Sequence, residues 1–125
     1  MDLTKVTTKD AFDKPSDMYL THPHFGTVIN GTDDKPTIFK VHSLKSNIAR
    51  DVIKECKKEG LDEQETAKKL LDVICVGWSN NLEYSEGKHL KFSESNLKKL
   101  LSEQDWVGAQ IVNHATSAKA YAPKF

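Results

Sequence analysis

The order of residues predicts an α+β fold, in which a small N-terminal antiparallel β-meander packs on a mainly α-helical C-terminal part that carries a short β-hairpin. Three observations carry that expectation. β-Rich runs at Met18–Thr21, Thr27–Ile29 and Thr37–Val41 are punctuated by His22-Pro23-His24-Phe25-Gly26 and by Asn30-Gly31-Thr32-Asp33-Asp34-Lys35-Pro36. From Leu44 onward apolar residues recur at helical spacing instead. Between Asn80 and Phe92 the period shortens again around Ser85-Glu86-Gly87-Lys88, a hairpin signal.

Each element has its own local reason. In the third β-rich run Ile38, Lys40 and His42 alternate with Thr37, Phe39 and Val41, as one dry and one wetter face require. Such a small sheet needs a helical lid. Leu44, Ile48, Ala49, Val52, Ile53 and Cys56 supply it behind Ser43, the expected N-cap, and Gly60 ends that helix. Asp62 and Glu65 form a capping pattern for a second helix, whose stripe runs through Ala67, Leu70, Leu71, Ile74, Cys75 and Trp78. Leu82 and Tyr84, answered by Leu90 and Phe92, make the hairpin. Ser93 caps a third, short helix with Leu97, Leu100 and Leu101 inward, while Ser102 and Asp105 cap a fourth carrying Trp106, Val107, Ile111 and Ala115. A chain of 125 residues builds one core comfortably, so residues 18–125 are expected as one domain. Residues 1–17 lack a sustained apolar period and are expected as a flexible arm, with Val6 and Phe12 docking weakly.

Composition narrows the function. Eighteen basic and eighteen acidic residues cancel, which removes the general phosphate attraction that most nucleic-acid binders use. No apolar run approaches the roughly 20 residues that span a bilayer, and Met1-Asp2-Leu3-Thr4 has neither the charge nor the apolar stretch of a signal peptide. A cytosolic protein is expected, in which Cys56 and Cys75 are buried thiols acting as small hydrophobes.

Candidate chemistry is thin. His22 and His24, two apart on a strand, could join His42 from a neighbouring strand as three imidazoles for a metal, although His-Pro-His is also an ordinary turn. Glu63 and Glu65 read as helix-surface charge, as do Lys57-Lys58 and Lys68-Lys69. There is no glycine-rich phosphate loop, nucleophile elbow or activated nucleophile, so neither an enzyme nor a cofactor is expected. The Asp62–Trp78 segment has the rhythm of a first helix of a helix-turn-helix, but a β-like stretch follows where the reading helix should stand. Trp78 is expected in the core with Phe92, Leu70 and Ile74.

Gly77-Trp78-Ser79, a hairpin containing Gly87, Phe92-Ser93-Glu94-Ser95-Asn96-Leu97 with Leu100-Leu101, then Trp106 and Gln110-Ile111, resemble the C-terminal half of tail assembly chaperones from long-tailed bacteriophages. Met18-Tyr19-Leu20-Thr21-His22-Pro23 followed by Phe25-Gly26-Thr27 is similar to that family's N-terminal strand and turn. The resemblance implies a non-enzymatic protein of the host cytoplasm that binds the tape measure protein, keeps it soluble and helps recruit the tail tube protein around it. It implies a possible homo-oligomer and no membrane or nucleic-acid partner. An apolar strip on short helices would cover a partner helix, and repeated copies along one long partner would supply avidity. The expected strip comprises Trp106, Ile111, Leu97, Leu100 and Leu101, because so many large apolar residues exceed what a thin core holds. A virion structural component, such as a tail or connector subunit, is the alternative, followed by a small DNA-binding regulator.

Overall fold

The computed structural model describes residues 12–117 and 119–121. Two strands open the fold, β1 (Ser16–Tyr19) and β2 (Ile38–Val41), followed by helices α1 (Asn47–Glu59) and α2 (Glu63–Ile74) and strand β3 (Cys75–Trp78). A hairpin, β4 (Glu83–Ser85) and β5 (Lys88–His89), leads to α3 (Glu94–Glu103) and α4 (Asp105–Ala115), and a 3-10 turn covers Lys119–Tyr121. The expected α+β class is therefore present. The sheet is antiparallel in the order β1-β2-β3, with β2 central.

Its third strand is not the one the sequence pointed to. Thr27–Ile29 stays outside the sheet, flanked by single bridges of Val28 with Thr21, just beyond β1, and of Asn30 with Pro36, just before β2. Cys75–Trp78, expected as the end of the second helix, fills the position instead. The α2 helix stops at Ile74, and Cys75 turns extended while its N–H still bonds the Leu71 carbonyl. Pairing with β2 matches Phe39 with Trp78, Lys40 with Gly77 and Val41 with Cys75, which leaves Val76 as an extra residue. That bulge reverses the side-to-side alternation, so Cys75 and Trp78, three apart, are both buried while Val76 is exposed. Alternation in β2 needs no such device. Thr37, Phe39 and Val41 make the dry face.

Caps divide the same way. Gly60 at φ 71 closes α1, Asp62 accepts from the Glu65 N–H at 2.8 Å, and Ser93 accepts from Asn96 at 3.1 Å. The α1 N-cap, however, is Ser46, not Ser43. Ser43 is buried before the helix, where its Oγ accepts from Lys45 and donates to the Ala115 carbonyl, so it holds a turn and leaves Leu44 outside the helix. At α4 the cap position is Gln104, whose side chain makes no capping bond. Ser102 Oγ donates back to the Lys99 carbonyl instead.

The described end of the expected arm, residues 12–17, is tied to the fold. Ser16 and Asp17 already pair with Val41 and Lys40, Asp17 and Lys40 also form an ion pair, and Asp13 accepts from the Asn47 backbone at 2.7 Å. Phe12 lies 6.3 Å from the Tyr121 ring and under the Lys45 ammonium. The rest of the arm, including Val6, lies outside the described residues.

One buried cluster joins the layers: Met18, Leu20, Phe39 and Val41 from the sheet side, Ile74 and Trp78, and Leu97, Leu100, Val107 and Ile111 from the last two helices. At its edge His114 shares a 2.7 Å hydrogen bond with Ser16 and packs edge-on to Tyr121, whose hydroxyl donates to the Val41 carbonyl. Burial holds the His114 imidazole below its ordinary value of 6.5, with Asp17 opposing. The folded chain thus binds this proton less readily than the unfolded chain. Its stabilising contribution is complete above that value and declines as the pH falls through it towards the lower folded value. In urea titrations His114→Gln is expected to flatten the loss of stability as the pH falls below 6.5. An identical slope in the variant would refute this.

Candidate functional site

The residues expected to face a partner do not form one surface. Ile111 and Leu97 are 0% and 1% exposed, and Leu100 is buried beside them, so the expected strip is corrected: these three belong to the core. The reason is volume. With β3 added to the sheet, and α3 and α4 both packing on α2, the core takes in side chains that a thin layer would have left outside. Leu101 and Trp106 are only half-buried against it. Of the expected core residues, Ile74 and Trp78 are buried and Leu70 is half-buried, but Phe92 is 37% exposed. Phe92 stands edge-on to Trp78 at 4.9 Å, with Phe39 at 5.5 Å, so two rings flank the indole, whose N–H donates to the Leu90 carbonyl.

What the fold does build is a cleft of about 220 Å³ where three regions meet. One wall is the base of the 20–37 loop. Leu20 N–H bonds the Thr37 carbonyl, Thr37 N–H bonds Ile29, and Ile29 N–H bonds Leu20, a closed ring that satisfies the backbone there. Tyr84 from β4 forms the second wall, with the Lys99 ammonium 5.2 Å from its ring centre. The third is the joint between α3 and α4, with Leu100, Gln104 and Trp106. Gln104 breaks the helical path, and its side-chain oxygen accepts from the Trp106 indole at 2.9 Å, which fixes the ring at the cleft.

Two features of this cleft were invisible as spacing. Thr37 lines it at 1% exposure, and its Oγ1 has no hydrogen-bond partner. A buried hydroxyl left unpaired costs on the order of 1–3 kcal/mol, a penalty borne by the wall beneath the cleft. Gln110 acts from behind. Its amide donates to the Thr21 carbonyl at 2.6 Å and accepts from the Thr21 N–H at 3.1 Å, so a side chain of α4 pins the loop base as a strand would. The only signal for either residue was its place between apolar neighbours.

The other candidate groups are dispersed. The Nδ1 of His22 accepts from the backbone of His24 and Phe25 at 3.1 and 3.3 Å, so it closes the turn. Among the described residues no group of three or more His, Cys, Asp or Glu is placed to hold a metal. Burial pushes the Cys75 thiol up to about 12, which keeps it protonated and unreactive at neutral pH. No helix among the described residues is long and apolar enough to cross a membrane.

A cofactor or drug-sized ligand occupies about 300–1,000 Å³. The cleft, at about 220 Å³, has room for one large side chain, and the Thr37 hydroxyl is buried beneath its wall. No family model matches this chain, and no curated protein and no solved structure is significantly similar to it.

Proposed function

We propose that this chain is a non-enzymatic tail assembly chaperone of a long-tailed bacteriophage. It acts in the host cytoplasm, binds the tape measure protein, keeps it soluble and helps recruit tail tube subunits. The observation that supports a binding role is the cleft: an apolar recess bounded by Trp106 and Tyr84, sized for one anchoring side chain. Tryptophan and tyrosine are the residue types that concentrate binding energy at interfaces. The choice of partner rests on the resemblance of the Gly77–Ile111 stretch to that family. A shallow anchor gives modest affinity per copy, and several copies along one long helical protein multiply it.

The test is co-expression with the long helical protein that the reading places immediately downstream. Trp106→Ala is expected to leave the circular dichroism spectrum unchanged and to reduce co-purification by about tenfold or more. Thr37→Val removes the unpaired, buried hydroxyl at nearly constant volume, so it is expected to hold or raise the melting temperature and to leave capture unchanged. Full capture by the folded Trp106→Ala variant would reject the cleft as the contact. The lack of a long helical reading frame in the neighbourhood would reject the chaperone reading itself.

A further inference from the structure

A second surface lies on different elements, in the open groove of about 450 Å³ between α1 and α2. Its floor is apolar. Ile48, Val52 and Cys56 follow one another at four-residue spacing on α1, and Val73 faces them from α2. Ile48 is 42% exposed and continues the apolar row of Val52 and Cys56 out to the surface.

Charge along this groove is one-sided, although the whole chain is neutral. Asp51, Glu55 and Glu59 repeat the same four-residue spacing and run beside the apolar row. Asp72 adds a carboxylate from α2, and the one cation in the lining, Lys69, is tied to Glu59 at 3.1 Å. Four carboxylates against one ammonium leave a surplus of three negative charges at neutral pH. The cations of α1, Arg50, Lys54, Lys57 and Lys58, all fall outside the lining. Partial burial raises the Asp72 carboxyl above its ordinary value, with Lys98 opposing and Glu94 reinforcing, so this carboxylate gains from any incoming cation.

We propose that the α1–α2 groove docks a basic amphipathic helix of a partner protein, with an apolar row on Ile48, Val52 and Val73 and lysine or arginine against Asp51, Glu55 and Asp72. The length fits this occupant: Ile48 to Glu59 covers about three helical turns, roughly 16 Å. Anionic partners, including nucleic acid and acidic lipid surfaces, meet repulsion at the same rim. The inference does not depend on the Trp106 cleft, which shares no lining residue with the groove.

The probe is a fluorescein-labelled helical peptide of about 16 residues, with leucine at successive three- and four-residue steps and lysine flanking them, beside a twin carrying glutamate for every lysine. In anisotropy titrations of the full chain, the lysine peptide is expected to bind at least about tenfold more tightly than its twin, with the gap narrowing as salt rises. Asp51→Lys with Glu55→Lys, both at exposed positions, is expected to reverse that preference, and Ile48→Ser to weaken both peptides. Trp106→Ala is expected to change neither, which separates this surface from the cleft. Equal binding of the two peptides, or an unchanged preference in the folded double variant, would overturn the proposal. Self-association of the wild-type chain that the double variant abolishes, read by sedimentation, would give the groove to a second copy and would also overturn it.

Discussion

Ile111→Asp is expected to unfold the domain. Ile111 is fully buried in the middle of α4, against the cluster that includes Leu97, Val107 and Ile74. The substitution forfeits about 1.5–3 kcal/mol of apolar burial and adds a carboxylate with no partner, a further penalty of about 3–5 kcal/mol. Domains of this size hold only about 5–15 kcal/mol in total. Circular dichroism and urea unfolding at neutral pH should therefore show a largely unfolded chain, with partial recovery in acid where the new carboxyl is protonated. A cooperative transition at the wild-type midpoint would contradict the burial of α4. For the same reason, lost partner binding in this variant reports lost structure and not a lost contact, whereas the half-buried Trp106 separates the two.

Gly31→Ala is expected to cost about 2–3 kcal/mol, far more than its place in a surface turn suggests. A Cβ at this position would lie 2.1 Å from the Asn81 carbonyl oxygen and 2.6 Å from its Cγ. Asn81 has little freedom to retreat. Its amide donates to Asp33 Oδ1 at 2.8 Å and to the Lys35 carbonyl at 2.9 Å, and its side-chain oxygen accepts from Ser79, which itself accepts from the Ile38 N–H. The hydrogen bond from Asn81 is the main reason the Asp33 carboxyl sits below its ordinary value, with the Lys35 N–H next. Stability from Asp33 is thus present above pH 3.8 and lost as pH falls through its lower folded value. Gly31→Ala should shrink that acid-side loss as well as lower the urea midpoint. Gly77→Ala is the control, because a Cβ there meets nothing within 4 Å. Equal midpoints for the two variants would refute the close approach.

Local chemistry was readable at several helix ends and turns, though not at Ser43 or Ser102. Gly60, Asp62 and Ser93 cap the helices expected of them, Gly87 at φ 71 turns the hairpin, and Thr37, Phe39 and Val41 face inward by simple alternation. Cys75 and Trp78 show where such reading stops. Together with Leu71 and Ile74 they sit at the spacing of a helix stripe, yet they belong to a strand whose bulge at Val76 produces the same spacing. Period alone does not distinguish a bulged strand from a helix end. The choice was made by β2, which offered Cys75–Trp78 a partner that no neighbouring residue could.

The candidate site was less readable than the fold. Trp106 is half-buried at the edge of the core, but Ile111, Leu97 and Leu100 looked the same to any rule of spacing and are buried. Thr37, Tyr84 and Gln110 were placed by alternation, hairpin pattern or motif, but their roles at the cleft carried no signal, since these arise from residues 47 to 89 positions away or from a missing partner.

By itself, then, the sequence determined the α+β class, the stop of α1, the starts of α2 and α3, the hairpin turn and the wet and dry faces of β2, because these caps, turns and alternation are set within one or two turns of chain. Only the tertiary structure decided which segment completes the sheet, which apolar residues of α3 and α4 remain at the surface, and where an apolar cleft and an acidic groove are left open. Those outcomes depend on contacts between residues far apart in the chain. Burial is a property of the assembled layers, so no single segment records it.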